Sequence, residues 1–96
     1  MNNARRKVLR ELLAKVEAIR DQVQGAVSDL REEVQAVLDE EQEAFEALPE
    51  GLQQADRGQA MESAISSLEE AVSGLEELEG VDFDSITQAI ESAVEG

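Results

Sequence analysis

The stretch VLRELLAKVEAIRDQVQGAVSDLREEVQAVL, residues 8–38, is the most informative part of this sequence. Its apolar residues recur every three or four positions, and the ladder continues to Leu48 with only Glu41 interrupting it, a position that is counted as one step. From Leu9 to Leu48 the step averages about 3.55 residues, between the 3.5 of a coiled coil and the 3.6 of a free helix. The ladder predicts one helix over about residues 3–47 and comprises Leu9, Leu12, Val16, Ile19, Val23, Val27, Leu30, Val34, Val37, Phe45 and Leu48.

A connection follows this helix. Pro49 stops the helix, because the residue before a proline is disfavoured in the α conformation. Pro49, Gly51 and Gly58 mark a turn over residues 48–57. Asp56, with Gln59 three residues later, has the form of a capping box that opens the next helix.

Two further helices are predicted. A second apolar ladder from Met61 to Leu78 predicts a helix over about 58–79, which Gly80 ends in the left-handed conformation. A short third helix is predicted over about 83–95, with Asp82 or Asp84 as its N-cap.

The fold class expected from these elements is all-α, with residues 1–96 forming a single helical domain. We predict a long antiparallel helical hairpin plus a short third C-terminal helix, coiled-coil-like and oligomeric. Residues 1–24 carry a net charge of +3 and residues 80–96 a net charge of −4. A third helix that continues in line past Gly80 would therefore complement the basic half of the first helix. If it folds back instead, that half needs another subunit.

The composition removes most catalytic chemistry. The chain has no His, Cys, Trp or Tyr, which excludes His-based acid–base catalysis, a Cys nucleophile and Cys or His metal sites. The Asp82–Asp84 segment resembles the start of a calcium loop, but Thr87 and Ala93 break the EF-hand pattern. We expect no enzyme activity, no metal and no cofactor.

The net charge of −15 limits the possible partners. It repels nucleic acid and anionic lipid, so we expect direct binding to neither. No apolar run reaches the roughly 18 residues that a membrane span requires. The basic start MNNARRK lacks a following apolar core, so we expect no signal peptide and a cytoplasmic location.

Acidic residues at seven-residue spacing form the first candidate site. Seven residues are close to two helical turns, so carboxylates stack about 10 Å apart along one flank. Such a surface either mimics the phosphates of DNA or is only a solvated helix face. Most charge runs of this kind are solvated faces, and the absence of any basic residue after Gly58 is the feature that supports the mimic. The candidate partner-binding residues are Glu32, Glu33, Asp39, Glu40, Glu43, Glu62, Glu69, Glu70, Glu76 and Glu77.

The turn is the second candidate site. We expect an apolar closure of the hairpin end, formed by Phe45, Leu48, Leu52 and Met61 next to Pro49. Arg57 lies among acidic residues and either pairs with Glu46, Glu50 or Asp56, or holds an anion.

Residues 39–62 also resemble a stretch shared by small acidic proteins of unassigned activity encoded in bacteriophage and prophage genomes. The resemblance lies in an acidic helix end, Phe45, Leu48-Pro49-Glu50, Leu52-Gln53, and then Arg57-Gly58 and Met61-Glu62. It covers about a quarter of the chain. It implies a phage-type accessory protein that acts inside a bacterial host cell, and it names no catalytic residue.

Two functions follow as hypotheses. The first is a non-enzymatic protein that binds and inhibits or regulates a host protein, with the acidic surface entering a DNA-binding cleft as a DNA mimic in anti-defence. The alternative is a self-assembling helical scaffold or a small-ligand (nucleotide) sponge. In the alternative, Arg57 and the basic cluster Arg5, Arg6, Lys7 and Arg10 contact an anionic ligand or the acidic helices of neighbouring subunits.

Overall fold

The computed structural model describes residues 1–96. It contains four helices and no strand: α1 (Asn3–Glu46), α2 (Glu50–Gln53), α3 (Asp56–Glu79) and α4 (Asp84–Glu95). Helices account for 88% of the chain, and the molecule measures 73 × 16 × 13 Å. The predicted all-α class and long helical hairpin are confirmed.

Helix α1 runs without a break for 44 residues. Asn2 is its N-cap, and the Asn2 Oδ1 atom accepts a hydrogen bond of 2.9 Å from the Arg5 backbone N–H. This bond satisfies one of the free N–H groups at the helix start. The helix ends at Glu46, one residue earlier than predicted and three before Pro49.

The predicted turn over 48–57 contains the one-turn helix α2. Within it, the Gln53 side-chain amide donates to the Leu48 carbonyl at 3.0 Å and to the Phe45 carbonyl at 3.3 Å. Carbonyl groups at a helix C-terminus lack partners inside the helix. Gln53 therefore completes the end of α1 from the far side of the turn.

The start of α3 differs from the prediction. The helix begins at Asp56, its N-cap is Ala55, and no side chain caps it. The predicted capping box of Asp56 with Gln59 is therefore wrong. Asp56 lies one position after the N-cap, inside the first turn of α3. Its carboxylate there is attracted by the positive end of the helix dipole.

The first turn of α3 packs tightly against α2 at Gly58, which is buried. A Cβ atom at this position would overlap the Gln53 carbonyl oxygen and lie 2.6 Å from the Gln53 Cα atom. The backbones of α2 and α3 can approach this closely only because residue 58 has no side chain.

The end of α3 also differs. Gly80 has φ −87° and ψ 9°, so the left-handed conformation predicted for it is wrong. The Gly80 N–H donates to the Glu76 and Glu77 carbonyls, both at 3.2 Å, and these hydrogen bonds form with φ negative. The next helix, α4, has Phe83 as its N-cap residue, so neither Asp82 nor Asp84 takes the predicted N-cap position. The Asp82 Oδ1 atom, one residue farther out, accepts a hydrogen bond of 3.0 Å from the Ser85 N–H at the start of the helix.

Three contacts fix the antiparallel register of the hairpin. The side chains of Gln42 and Glu69 meet near the turn at 3.5 Å, and those of Arg31 and Glu79 meet in the middle at 2.7 Å. At the open end, the Arg6 Nε atom donates to the Val94 carbonyl at 3.1 Å. Helix α4 therefore continues in line with α3 and lies beside the basic half of α1.

The seam between the helices buries little. Leu38 and Val72 are the only buried apolar residues, with exposed fractions of 4% and 7%. The half-buried residues of α1 are Arg6, Leu9, Leu13, Val16, Arg20, Val23, Gln24, Val27, Ser28, Arg31, Val34, Gln35, Glu41, Gln42 and Phe45.

Part of the predicted ladder does not belong to the seam. Leu12, Ile19, Leu30 and Val37 are 41–52% exposed, whereas their neighbours Leu13, Arg20, Arg31 and Leu38 turn towards α3 and α4. The α1 helix therefore has a second apolar line of side chains with no partner in the chain.

Candidate protein-binding face

Two rows of carboxylates run along the half of the hairpin that ends in the turn, residues 25–79, which we call the turn half. The acidic rows are Glu32, Asp39 and Glu46 on α1 and Glu62, Glu69 and Glu76 on α3, all exposed. Residues seven apart return to within about 20° of the same helix side and lie about 10.5 Å apart. Each row is therefore a straight line of charges parallel to the hairpin axis.

Both acidic rows lie on the same side of the hairpin. Glu46 from α1 and Glu62 from α3 line one shallow groove, together with Gln42 and Ser66. Farther along, the Gln42 Nε2 atom bonds to the Glu69 carboxylate at 3.5 Å. The two rows thus border a common groove between the helices.

The other predicted carboxylates lie farther around the helices. Glu70 and Glu77 adjoin Ser73 on a surface of α3 that has no apolar side chain. On α1, Glu33, Glu40 and Glu43 are exposed and lie more than a third of a turn from the seam. The ten predicted residues therefore wrap around the turn half of the hairpin instead of forming one flat face.

The charge density of this half approaches that of DNA. Residues 25–79 carry sixteen acidic and two basic side chains, so they hold −14 of the chain's net charge of −15. This half of the helix pair is about 35 Å long at 1.5 Å per residue along α1, so it carries one net charge per about 2.5 Å of its length. Duplex DNA carries one per about 1.7 Å. The two densities differ by a factor of only about 1.5.

One of the two basic residues in this half is already paired. The Arg31 Nε atom lies 2.7 Å from the Glu79 Oε1 atom, and both side chains are partly shielded from solvent. The Glu79 carboxylate raises the pKa of Arg31, first by accepting its hydrogen bond and then by attracting its charge. Arg31 is therefore occupied at the seam and does not offset the acidic rows.

The other basic residue, Arg57, is exposed. The chain has two salt bridges, Arg20 with Asp21 and Arg31 with Glu79, and neither includes Arg57. The expected pairing of Arg57 with Glu46, Glu50 or Asp56 is therefore wrong. Its guanidinium group stays free at the turn end.

The apolar closure of the turn is also smaller than predicted. Phe45, Leu48 and Met61 are half-buried, but Leu52 is 48% exposed and Pro49 is exposed. Leu52 does not close the turn, because Gln53 occupies the position that faces the end of α1.

The basic cluster lies at the open end. Arg6 donates to the Val94 carbonyl at 3.1 Å and to the Asn3 Oδ1 atom at 3.2 Å. The Val94 carbonyl belongs to the last turn of α4, so Arg6 also complements the negative end of that helix dipole. Arg5, Lys7 and Arg10 are exposed and make no salt bridge.

Sequence reasoning missed Gln53, Gly58 and the unpartnered apolar line of α1. A side-chain amide that reaches back to a helix end, or a close backbone contact, leaves no periodic signal. The chain has no group of three or more acidic side chains arranged to hold a metal ion. None of its helices combines the length and the hydropathy needed to cross a membrane.

No protein-family model, curated protein or solved structure matches the chain.

Proposed function

We propose that this chain is a non-enzymatic accessory protein that binds the basic, nucleic-acid-binding surface of another protein and thereby inhibits or regulates it. The acidic rows and their groove are the contact surface. With the phage-type resemblance of residues 39–62, the proposed setting is the cytoplasm of a bacterial host cell, and the proposed role is that of a DNA mimic in anti-defence.

The observation that carries this proposal is the one-signed charge of residues 25–79. Fourteen net negative charges along about 35 Å give a linear charge density within a factor of about 1.5 of that of a duplex, and the 10.5 Å repeat of each row is about three base-pair steps. An ordinary solvated helix alternates acidic and basic residues four apart, which stabilises the helix. The acidic rows lack that alternation, so they are better suited to an external cation-rich surface.

The experiment is an affinity capture from bacterial lysate with a tagged chain. We expect a nucleic-acid-binding host protein to be retained at low salt and released at roughly 1 M salt, where charges are screened within about 3 Å. In the triple variant E62Q/E69Q/E76Q one acidic row is neutral, and we expect the capture to be lost.

The matched control is E11Q/E17Q/E91Q, which removes three charges from exposed sites outside residues 25–79. We expect it to capture the same protein as the unaltered chain. Equal capture by the row variant and the control would refute a role for the acidic rows.

The alternative, a self-assembling scaffold or small-ligand sponge, is favoured by a separate observation. Only four of the 96 residues are buried, so one copy has a small core for its length. We propose that the chain acts as a homo-oligomer, which is compatible with either function. In the sponge form, free cations such as Arg57 would hold an anionic nucleotide between subunits.

A further inference from the structure

One line of apolar side chains extends along almost all of α1 without a partner. The apolar stripe consists of Val8, Leu12, Ile19, Leu30 and Val37 on α1, with Met1 just before the helix, and these side chains are 41–52% exposed. At 100° per residue the five helical positions fall within about 40° of one another around the axis. The stripe lies about a quarter turn from the seam that faces α3 and α4.

The stripe belongs to one side of the whole hairpin. In an antiparallel helix pair, residues displaced from their seams in the same rotational sense reach the same side of the pair. Leu78 and Ile86, each 49% exposed, are displaced from their seams in the same sense as the stripe. The acidic rows are displaced in the opposite sense. The hairpin therefore has an apolar side, which Glu33 and Glu40 flank on α1, and opposite to it the side that carries both acidic rows.

We infer that the apolar side binds a second copy of this chain in antiparallel orientation, related by a two-fold axis. This inference deepens the proposed self-association and does not depend on the identity of a host protein. Three properties of the molecule favour a second copy as the partner: its charge distribution, the spacing of the stripe and the size of the face.

The charge distribution selects the orientation. The turn half, residues 25–79, carries −14, whereas the open half, formed by residues 1–24 (+3) and residues 80–96 (−4), carries only −1. A parallel pair would place the two turn halves side by side, which costs Coulomb energy along their entire length. An antiparallel pair places each turn half against the nearly neutral open half of the other copy, whose α1 segment is basic. An unrelated acidic partner would lack that complementarity.

The stripe is complementary to itself in that orientation. If two α1 helices from Asn3 to Glu46 lie antiparallel with their ends matched, residue i is opposite residue 49 − i. Leu12 then meets Val37 of the other copy, and Ile19 meets Leu30. A two-fold interface requires this reciprocity, because each contact occurs twice.

The face is large enough for a stable dimer. The hairpin is 73 Å long and 16 Å wide, so its apolar side has a footprint on the order of 1,000 Å². Standard specific interfaces bury about 800 Å² per partner. The dimer leaves both acidic sides facing outwards, on opposite surfaces of the particle.

The first test measures mass by sedimentation equilibrium from about 1 to 100 µM. We expect the unaltered chain to be dimeric at the upper end, and I19E/L30E to weaken dimerisation at least about 100-fold. The control S66E/S73E adds the same two charges at exposed sites away from the apolar side and should dimerise like the unaltered chain. Circular dichroism checks that both variants keep their helices.

A chain that stays monomeric at 100 µM would overturn the inference and the proposed self-association together, and would leave the apolar side to a different partner. Dimerisation by I19E/L30E at unchanged affinity would overturn only the assignment of the surface. Neither result involves the acidic rows, so the proposed host-protein binding is tested separately.

The second test fixes the orientation by disulfide formation, which the chain allows because it has no Cys. We expect L12C and V37C proteins of different tag length, mixed and mildly oxidised, to form the L12C–V37C heterodimer. In a parallel pair these positions are about 37 Å apart along the axis. Predominant L12C–L12C and V37C–V37C dimers would overturn the antiparallel arrangement.

Discussion

Arg31 on α1 and Glu79 at the end of α3 are 48 positions apart in the chain, and their side chains meet at 2.7 Å. This ion pair lies where α3 gives way to the link that leads into α4. It anchors the end of α3 on α1, and α4 continues in line beyond it.

We expect E79Q to lower the thermal midpoint, because Arg31 loses a charged acceptor at the seam. The control E77Q removes the same charge at an exposed site with no salt bridge, and should leave the midpoint unchanged or raise it by relieving repulsion. At about 1 M salt the difference between the two variants should shrink, because the pair is screened. Equal midpoints at low salt would show that the pair contributes nothing.

The close contact at Gly58 predicts opposite effects for two glycine substitutions. G58A forces a methyl group into the Gln53 backbone and should destabilise the fold by about 1–3 kcal/mol. G25A, which has open space around its Cβ position inside α1, should stabilise by about 1 kcal/mol. Urea unfolding at one fixed protein concentration measures both, and a neutral G58A would mean that α2 is not held against α3.

The hydrogen bonds from Gln53 to the end of α1 predict that substitutions at two neighbouring glutamines differ in their effect on stability. Q53A removes two hydrogen bonds to carbonyls at the end of α1 and should cost about 1–3 kcal/mol. Q54A alters an exposed neighbour whose side chain makes no hydrogen bond, and should stay within about 0.5 kcal/mol of the unaltered chain. Amide exchange at residues 45–48 should accelerate only in Q53A.

The seam is tested by leucine truncation. L38A opens a gap at the most buried apolar residue and should cost about 2–5 kcal/mol. L52A, at a half-exposed position on α2, should cost well under that range. The protein concentration must be equal in both measurements, because self-association adds to the apparent stability. Equal costs would place the seam elsewhere on α1.

The sequence was sufficient to predict the helices, because the three–four ladder, Pro49 and the second ladder are strong local signals. The apolar ladder did not identify all of the seam residues correctly, because the apolar side chains of α1 cover a wider arc of the helix than one neighbouring helix can bury. Arg20 and Arg31 then occupy seam positions, where their aliphatic stems pack and their charged ends reach acceptors. No local pattern reveals such positions.

The candidate site was likewise predictable from the sequence only in its local features. The seven-residue spacing predicted both acidic rows, because the spacing follows from helix geometry alone. That the rows share one groove depends on the rotation of α1 against α3, which only the folded hairpin defines. The exposure of Leu52 was mispredicted because Gln53 takes the inward position in the turn.

The most direct measurement of the proposed function is competition between the chain and duplex DNA for the host protein that the chain captures. We expect DNA to displace the chain, the apparent affinity to fall steeply between 50 and 200 mM salt, roughly as for a phosphate backbone, and E62Q/E69Q/E76Q to bind weakly at every salt concentration. Simultaneous binding of DNA and the chain, or an affinity independent of salt and of the row variant, would contradict the proposal.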